Sequence, residues 1–294
     1  VVGHKHWARR TAAFVLLLPG VSGLLLFQLI PMVSSGYISL TDWDLLTEAE
    51  FVGLDNYVQV FQDEKSLMSI KNVFRFIIGY LPLVLVFGLL FAVLLNRKMR
   101  GVKLYRAIVF IPVITSWIAV SIVWKWILNG KSGLLNYVLS LAGIEGPVWL
   151  QDFFWAMPAV IMVTVWKDAG FVAIILLAGL QDISEDYYEA AHLDGAGSTY
   201  RFFNITLPLL TPALFFVITI SLINAFQLFD QVMILTNGGP AGSTSTLVEQ
   251  VYKNAFQNHK MGFAAAQSWV LFLIIFAVTY LQYQLQKRWV TYDR

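Results

Sequence analysis

Two groups of polar residues stand where this sequence could do chemistry. The first lies inside long apolar runs: Trp166, Lys167 and Asp168 in one, and Asn224, Gln227, Asp230 and Gln231 in another. Amides donate and accept hydrogen bonds together, carboxylates accept them, and an indole offers a flat apolar face, so the set suits a hydroxyl-rich solute. On a continuous helix Asn224, Gln227 and Gln231 fall within about 60°, and Asp230 widens the stripe to about 120°. Asn224, Gln227, Asp230 and Trp166 are therefore the candidates for a solute path. The competing reading is that these groups bond to neighbouring helices or to a second subunit. Lys167 and Asp168 are sequence neighbours and do not face each other on a helix, so they are expected to bond to different elements. Trp117, Ser121 and Trp124 share a face of another run and read as packing or interface residues.

The second group is the polar stretch 181–212, which has helical grammar. Ser184 suits an N-cap, Glu185 and Asp186 complement the helix dipole, and Ile183 can staple onto Tyr188. Gly195 and Gly197 supply a break, Ser198 can cap a second short helix, and Pro208 opens the next apolar run. The first of these helices sets Ala190 and Ala191 beside Glu189. Small side chains admit close approach, and the carboxylate offers a charge-assisted bond to a partner's Arg or Lys. A lipid-surface helix would be basic on its polar face, whereas this one is acidic, so protein docking is the better reading.

Other chemistries lack their residues. Gly130-Lys131-Ser132 ends like a phosphate-binding loop, but Lys125 stands where that pattern needs glycine. No serine, histidine or carboxylate grouping has nucleophile spacing, and there is no cysteine for a disulfide or a thiolate metal site. His4 and His6 read as a solvated tail rather than as metal ligands. The sequon Asn204-Ile205-Thr206 falls in a segment expected to face the cytoplasm and is discounted. No catalytic residue, bound metal or cofactor is expected in this chain.

The elements that position these residues must be membrane helices. Of 294 residues, 58% are hydrophobic and 13% charged, about half the charge of a soluble domain. Apolar runs near 12–33, 73–95, 107–127, 154–178, 207–230 and 264–286 each approach the roughly 20 residues that cross a bilayer core. The first run is too long for a cleaved signal core. The chain begins at Val1 rather than Met, so residues are expected to precede it. Lys5, Arg9 and Arg10, then Arg97, Lys98, Arg100, Lys103 and Arg106, then Lys287, Arg288 and Arg294 mark segments expected on the cytoplasmic side, with both termini there. The acidic loop holding Asp42, Asp44, Glu48, Glu50, Asp55, Asp63 and Glu64 belongs to the other side. By parity, residues 179–206 face the cytoplasm.

The string Glu189-Ala190-Ala191, Asp194-Gly195-Ala196 and Ile205-Thr206-Leu207-Pro208 resembles the EAA signature of binding-protein-dependent ABC importer permeases. The resemblance continues in Phe51-Val52-Gly53-Leu54-Asp55-Asn56-Tyr57, in Leu177-Ala178-Gly179-Leu180-Gln181 and in Thr236-Asn237-Gly238-Gly239-Pro240, and is closest to the carbohydrate branch of maltose, lactose, glycerol-3-phosphate and oligosaccharide permeases. It implies an all-α type I importer permease fold: one transmembrane domain over 1–294, about six helices, and a cytoplasmic coupling loop over about 179–206. It also implies that Glu189 anchors an ATPase subunit, that Ala190 and Ala191 form the close-contact surface, and that Asp194 and Gly195 complete the motif at the bend. The implied partners are a second related permease, two ATPase copies carrying ATP and Mg, an external solute-binding protein and the lipid of the inner membrane, with no nucleic acid. A stand-alone secondary transporter is the alternative; it would usually show an internal repeat, and none is found between the halves.

Overall fold

The computed structural model describes residues 14–97 and 101–291. His4, His6, Lys5, Arg9, Arg10, Lys98, Arg100 and Arg294 lie outside the described residues. Four helices are long and apolar enough to cross a membrane, or up to six if each of two bent pairs counts as one span. The described chain falls into two compact units, one running to Asp63 and including Val251–Val270, the other comprising Glu64–Gln250 and the chain from Leu271.

In the first unit, α1 (Phe14–Ile38) has an apolar surface with none of it buried within the chain. A wide turn over Leu25–Leu29 precedes Pro31, which lacks the amide proton an uninterrupted helix would use there. The acidic segment that follows is folded. Strands β1 (Thr41–Asp42) and β2 (Glu50–Phe51) pair antiparallel, with Thr41 opposite Phe51. Between them Asp44 accepts from the amides of Leu46 (2.9 Å) and Thr47 (2.8 Å) and from the Thr47 hydroxyl (2.8 Å). Helix α2 (Asp55–Gln62) is tied back by Asn56, whose amide donates to the carbonyls of Ser39 (3.0 Å) and Thr41 (2.8 Å).

The second unit is built on α3 (Glu64–Leu95) and α7 (Ala156–Asp182). Helix α7 buries side chains around most of its circumference, as a helix central to a bundle must. Between these two lie α4 (Val102–Ile114), α5 (Trp117–Ile127) and the short α6 (Leu134–Leu141). Gly170 is where α7 crosses α4: a side chain there would run into the Val109 carbonyl oxygen. After α7 come α8 (Glu185–Leu193), α9 (Ser198–Leu209), α10 (Thr211–Phe226), α11 (Asp230–Leu235) and α12 (Leu247–Tyr252). Helix α13 (Met261–Gln286) ends the fold, and its Gln282 donates to the Thr219 hydroxyl of α10 at 2.9 Å.

Three expected spans differ from the observed helices. The second begins at Glu64 rather than near 73, because its first turns bury Ser66, Ser69 and Asn72 as a polar face that a hydropathy window passes over. The third is two helices meeting at 97°. Pro112 weakens the end of α4, Thr115 is extended, and Ser116 caps α5 by accepting from the Ile118 amide. The fifth is also bent, by 62° between α9 and α10, and its helix stops at Phe226 rather than reaching 230.

Candidate functional site

A cavity of about 300 Å³ opens in the second unit, walled by Phe76 and Tyr80 of α3, Trp117 of α5, Thr164 and Asp168 of α7, and the stretch from Asn224 to Gln231. Helical spacing brings its walls into register, since Phe76 and Tyr80 are four residues apart, as are Thr164 and Asp168. The Phe76 and Tyr80 rings stack at 5.1 Å, and the Tyr80 hydroxyl donates to Asp168 Oδ2 at 2.9 Å. That bond fixes one carboxylate oxygen and joins α3 to α7 at the cavity wall.

The far wall is a helix break. Gln227, Leu228 and Phe229 lie between α10 and α11. Leu228 is buried, and its carbonyl accepts from the Thr246 hydroxyl at 2.7 Å in place of a helical amide. The turn presents Asn224, Gln227 and Asp230, all exposed in the isolated chain, to the same space. The candidates Asn224, Gln227 and Asp230 are thus brought together with Asp168.

Trp166 stands apart from this wall. It is exposed and meets Trp124 edge-on at 5.4 Å, while Trp117 takes the indole position on the cavity. Lys167 turns the other way from Asp168: its ammonium donates to the carbonyls of Pro112 (3.0 Å) and Val113 (3.1 Å) and lies 4.8 Å from the centre of the Trp117 ring. Phe76, Tyr80, Thr164 and Trp117 were not among the sequence candidates. The only signal for the first two was an aromatic pair at helical spacing beside Asn72.

The second candidate surface is α8. The Ser184 hydroxyl accepts from the Asp186 amide at 3.2 Å at its start. At its end Gly195 adopts φ +79°, the Ala196 amide donates to the Ala191 carbonyl at 2.9 Å, and that of Gly195 donates to His192 at 3.0 Å. This is the glycine-dependent helix stop that the Asp194-Gly195 pair prescribes. Glu189 and Ala190 are exposed, Ala191 is half-buried, and Leu193, one turn beyond Glu189, is 88% exposed. Tyr188 shares a hydrogen bond of 3.0 Å with the Thr206 hydroxyl and so holds α8 against α9. Beside α8 is a cavity of about 680 Å³ whose walls include Glu185, Glu189, Arg97, Arg106 and Arg201. Among the described residues no three of His, Cys, Asp or Glu cluster as a metal cage.

The family model for the "binding-protein-dependent transport system inner membrane component" matches residues 84–291. This chain belongs to that family. It is 36% identical, over 96% of its own length and 92% of the relative's, to a probable ABC transporter permease protein, YesP, of Bacillus subtilis. It is 35% identical, over 92% of each chain, to the trehalose/maltose transport system permease protein MalF of Thermococcus litoralis. Among solved structures, a chain of a bacterial ABC transporter involved in the import of the acidic polysaccharide alginate superposes with a TM-score of 0.85 at 23% identity, covering 98% of this chain and 99% of that one. The shared fold is the all-α importer permease fold.

Proposed function

We propose that this family member is the permease of an ATP-driven importer that moves a sugar delivered by an external binding protein. The observation that carries the sugar reading is the cavity, where amides, carboxylates and aromatic faces converge on one space between α3, α5, α7 and the α10–α11 turn. Hydroxyls of a pyranose need paired donors and acceptors, and its axial C–H faces need an aromatic surface; both line this cavity. A second, related permease would complete the path.

Helix α8 is the proposed contact to a separate ATPase, which would hold ATP and Mg, two copies serving the permease pair. Glu189 would anchor it, with Ala190 and Ala191 giving close approach and Asp194 and Gly195 ending the helix. On this reading the α8 side and both termini would face the cytoplasm, as the basic segments of the sequence lead one to expect. The gradient-driven stand-alone carrier finds no support in the family match or in the relatives.

The test is reconstitution. In proteoliposomes with its partner permease and ATPase, uptake of a neutral disaccharide is expected only with ATP inside and loaded binding protein outside. Accumulation by the purified single chain under a sodium or proton gradient would overturn the reading.

A further inference from the structure

The charge of the cavity wall is one-sided. Asp168 and Asp230 contribute two carboxylates, Asn224, Gln227 and Gln231 contribute amides, and among the described residues lining it there is no lysine, arginine or histidine. Lys65, Lys71 and Arg75 of α3 are exposed and not among the lining residues, and the ammonium groups of α5 and α7 are turned to backbone carbonyls. Lys167 is held by Pro112, Val113 and the Trp117 ring, and Lys125 of α5 donates to the Ile234 carbonyl at 3.0 Å. The Tyr80 proton is already given to Asp168, and the amides can donate hydrogen bonds but carry no positive charge to offset an anion.

We propose that this wall selects for uncharged sugars and rejects anionic ones, with Asp168 and Asp230 as the excluding charges. The inference rests on reading the cavity as the solute path and adds its charge preference. A sugar acid or sugar phosphate entering here would lose water, meet two like charges and find no guanidinium or ammonium in exchange, the pairing that anion sites rely on. A neutral saccharide meets no such cost, because carboxylates accept hydrogen bonds from its hydroxyls and amides both donate and accept. A chain of the transporter involved in the import of the acidic polysaccharide alginate shares this fold, so the fold itself does not dictate a charge preference, which is left to the residues of the wall.

The sequence has no cysteine, so a thiol can be placed on the wall without removing any from this chain. Gln227→Cys is made in the full complex with partner permease, ATPase and binding protein. Its modification rate is measured with a trimethylammonium and with a sulfonate methanethiosulfonate reagent, and the ratio is compared with that of Ser140→Cys on exposed α6. A cleft lined by one sign of charge concentrates counter-ions by about tenfold or more, so the cation-to-anion ratio at the thiol of the Gln227→Cys variant should exceed the reference by about tenfold. It should fall towards the reference in Asp230→Asn and further with Asp168→Asn added. A ratio equal to the reference, or unchanged by Asp230→Asn, overturns the charge preference. Asp230 is exposed, so its single variant keeps the test decisive if the Asp168 variant fails to assemble. The path reading is tested separately, by protection of the thiol during ATP-driven turnover with binding protein loaded from maltose, trehalose and sucrose. Absence of protection at both Gln227→Cys and Asn224→Cys would overturn the path and the selectivity with it, whereas protection with a reference-like ratio would overturn the selectivity alone.

Discussion

The Lys167 ammonium lies 3.0 Å from the carbonyl oxygen of Pro112, fifty-five residues earlier in the chain, and closes the open end of α4. The last carbonyls of a helix have no amide partner of their own, and the helix dipole is negative there. A lysine inside an apolar span meets both needs at once, and stacking over Trp117 adds a cation–π contact at the cavity wall. In this fold the intramembrane charge holds a bend and positions an indole.

Lys167→Met should therefore act on assembly. Hydrogen bonds to charged groups are worth about 1.5 to 3 kcal/mol, and the variant takes the ammonium from the Val113 carbonyl, leaves the Pro112 carbonyl only the Thr115 amide at 3.3 Å, and frees Trp117 of its cation contact. Thermal unfolding of the purified complex should occur at lower temperature, with uptake and ATPase activity falling together. A variant that assembles normally but loses uptake alone would instead make Lys167 a solute contact.

This lysine also shows where the sequence is readable and where it is not. Hydropathy located the spans and capping grammar located α8, because both depend on residues close in sequence. The Asn224–Asp230 stripe came from assuming an unbroken helix, yet those residues meet because the helix stops at Phe226. Two partners make such breaks tolerable, Lys167 for the carbonyls of α4 and Thr246 for that of Leu228, and each is distant in sequence. The same assumption left Trp117 as a packing residue of a straight third span, whereas the 97° bend brings its ring to the cavity.

On α8, Glu189→Lys should weaken ATPase docking while the membrane helices remain inserted. Leu193, four residues on and 88% exposed, offers an apolar anchor on the same face, so Leu193→Asp should weaken docking as well. Co-purification of the ATPase with normally expressed permease checks both. A full complement of ATPase and unchanged uptake in either variant would remove that residue from the contact.

The Asp44 turn should be insensitive to physiological acidification. The Thr47 and Leu46 amides, with the Thr47 hydroxyl, lower its carboxyl from 3.8 to about 2. A depressed value means that the turn's stabilisation is fully present above the ordinary carboxylate range and is lost only as pH falls through about 2. Hydrogen exchange at Leu46 and Thr47, corrected for intrinsic rates, should show equal protection at pH 5 and pH 8 and faster exchange at both in Asp44→Ala. Loss of protection by pH 5 in the unaltered protein would contradict the assigned hydrogen bonds.

The cavity makes the most direct demand on Asn224 and Gln227. Each presents an amide to the space beside Asp168, so Asn224→Leu or Gln227→Leu removes sugar hydrogen bonds of about 0.5 to 1.5 kcal/mol and leaves hydroxyls unpaired. About 1.4 kcal/mol corresponds to tenfold in an equilibrium constant, so half-saturation for uptake should rise by about two- to tenfold. ATP turnover stimulated by loaded binding protein should persist, because neither residue is on α8. The informative quantity is the ratio of uptake to stimulated ATPase activity. Trp166→Leu supplies the contrast, since that ring lies off the wall against Trp124, and its ratio should remain that of the unaltered complex. Equal losses of uptake and ATPase activity in the amide variants, with less assembled complex in detergent, would assign Asn224 and Gln227 to a helix or subunit interface and place the sugar contacts elsewhere.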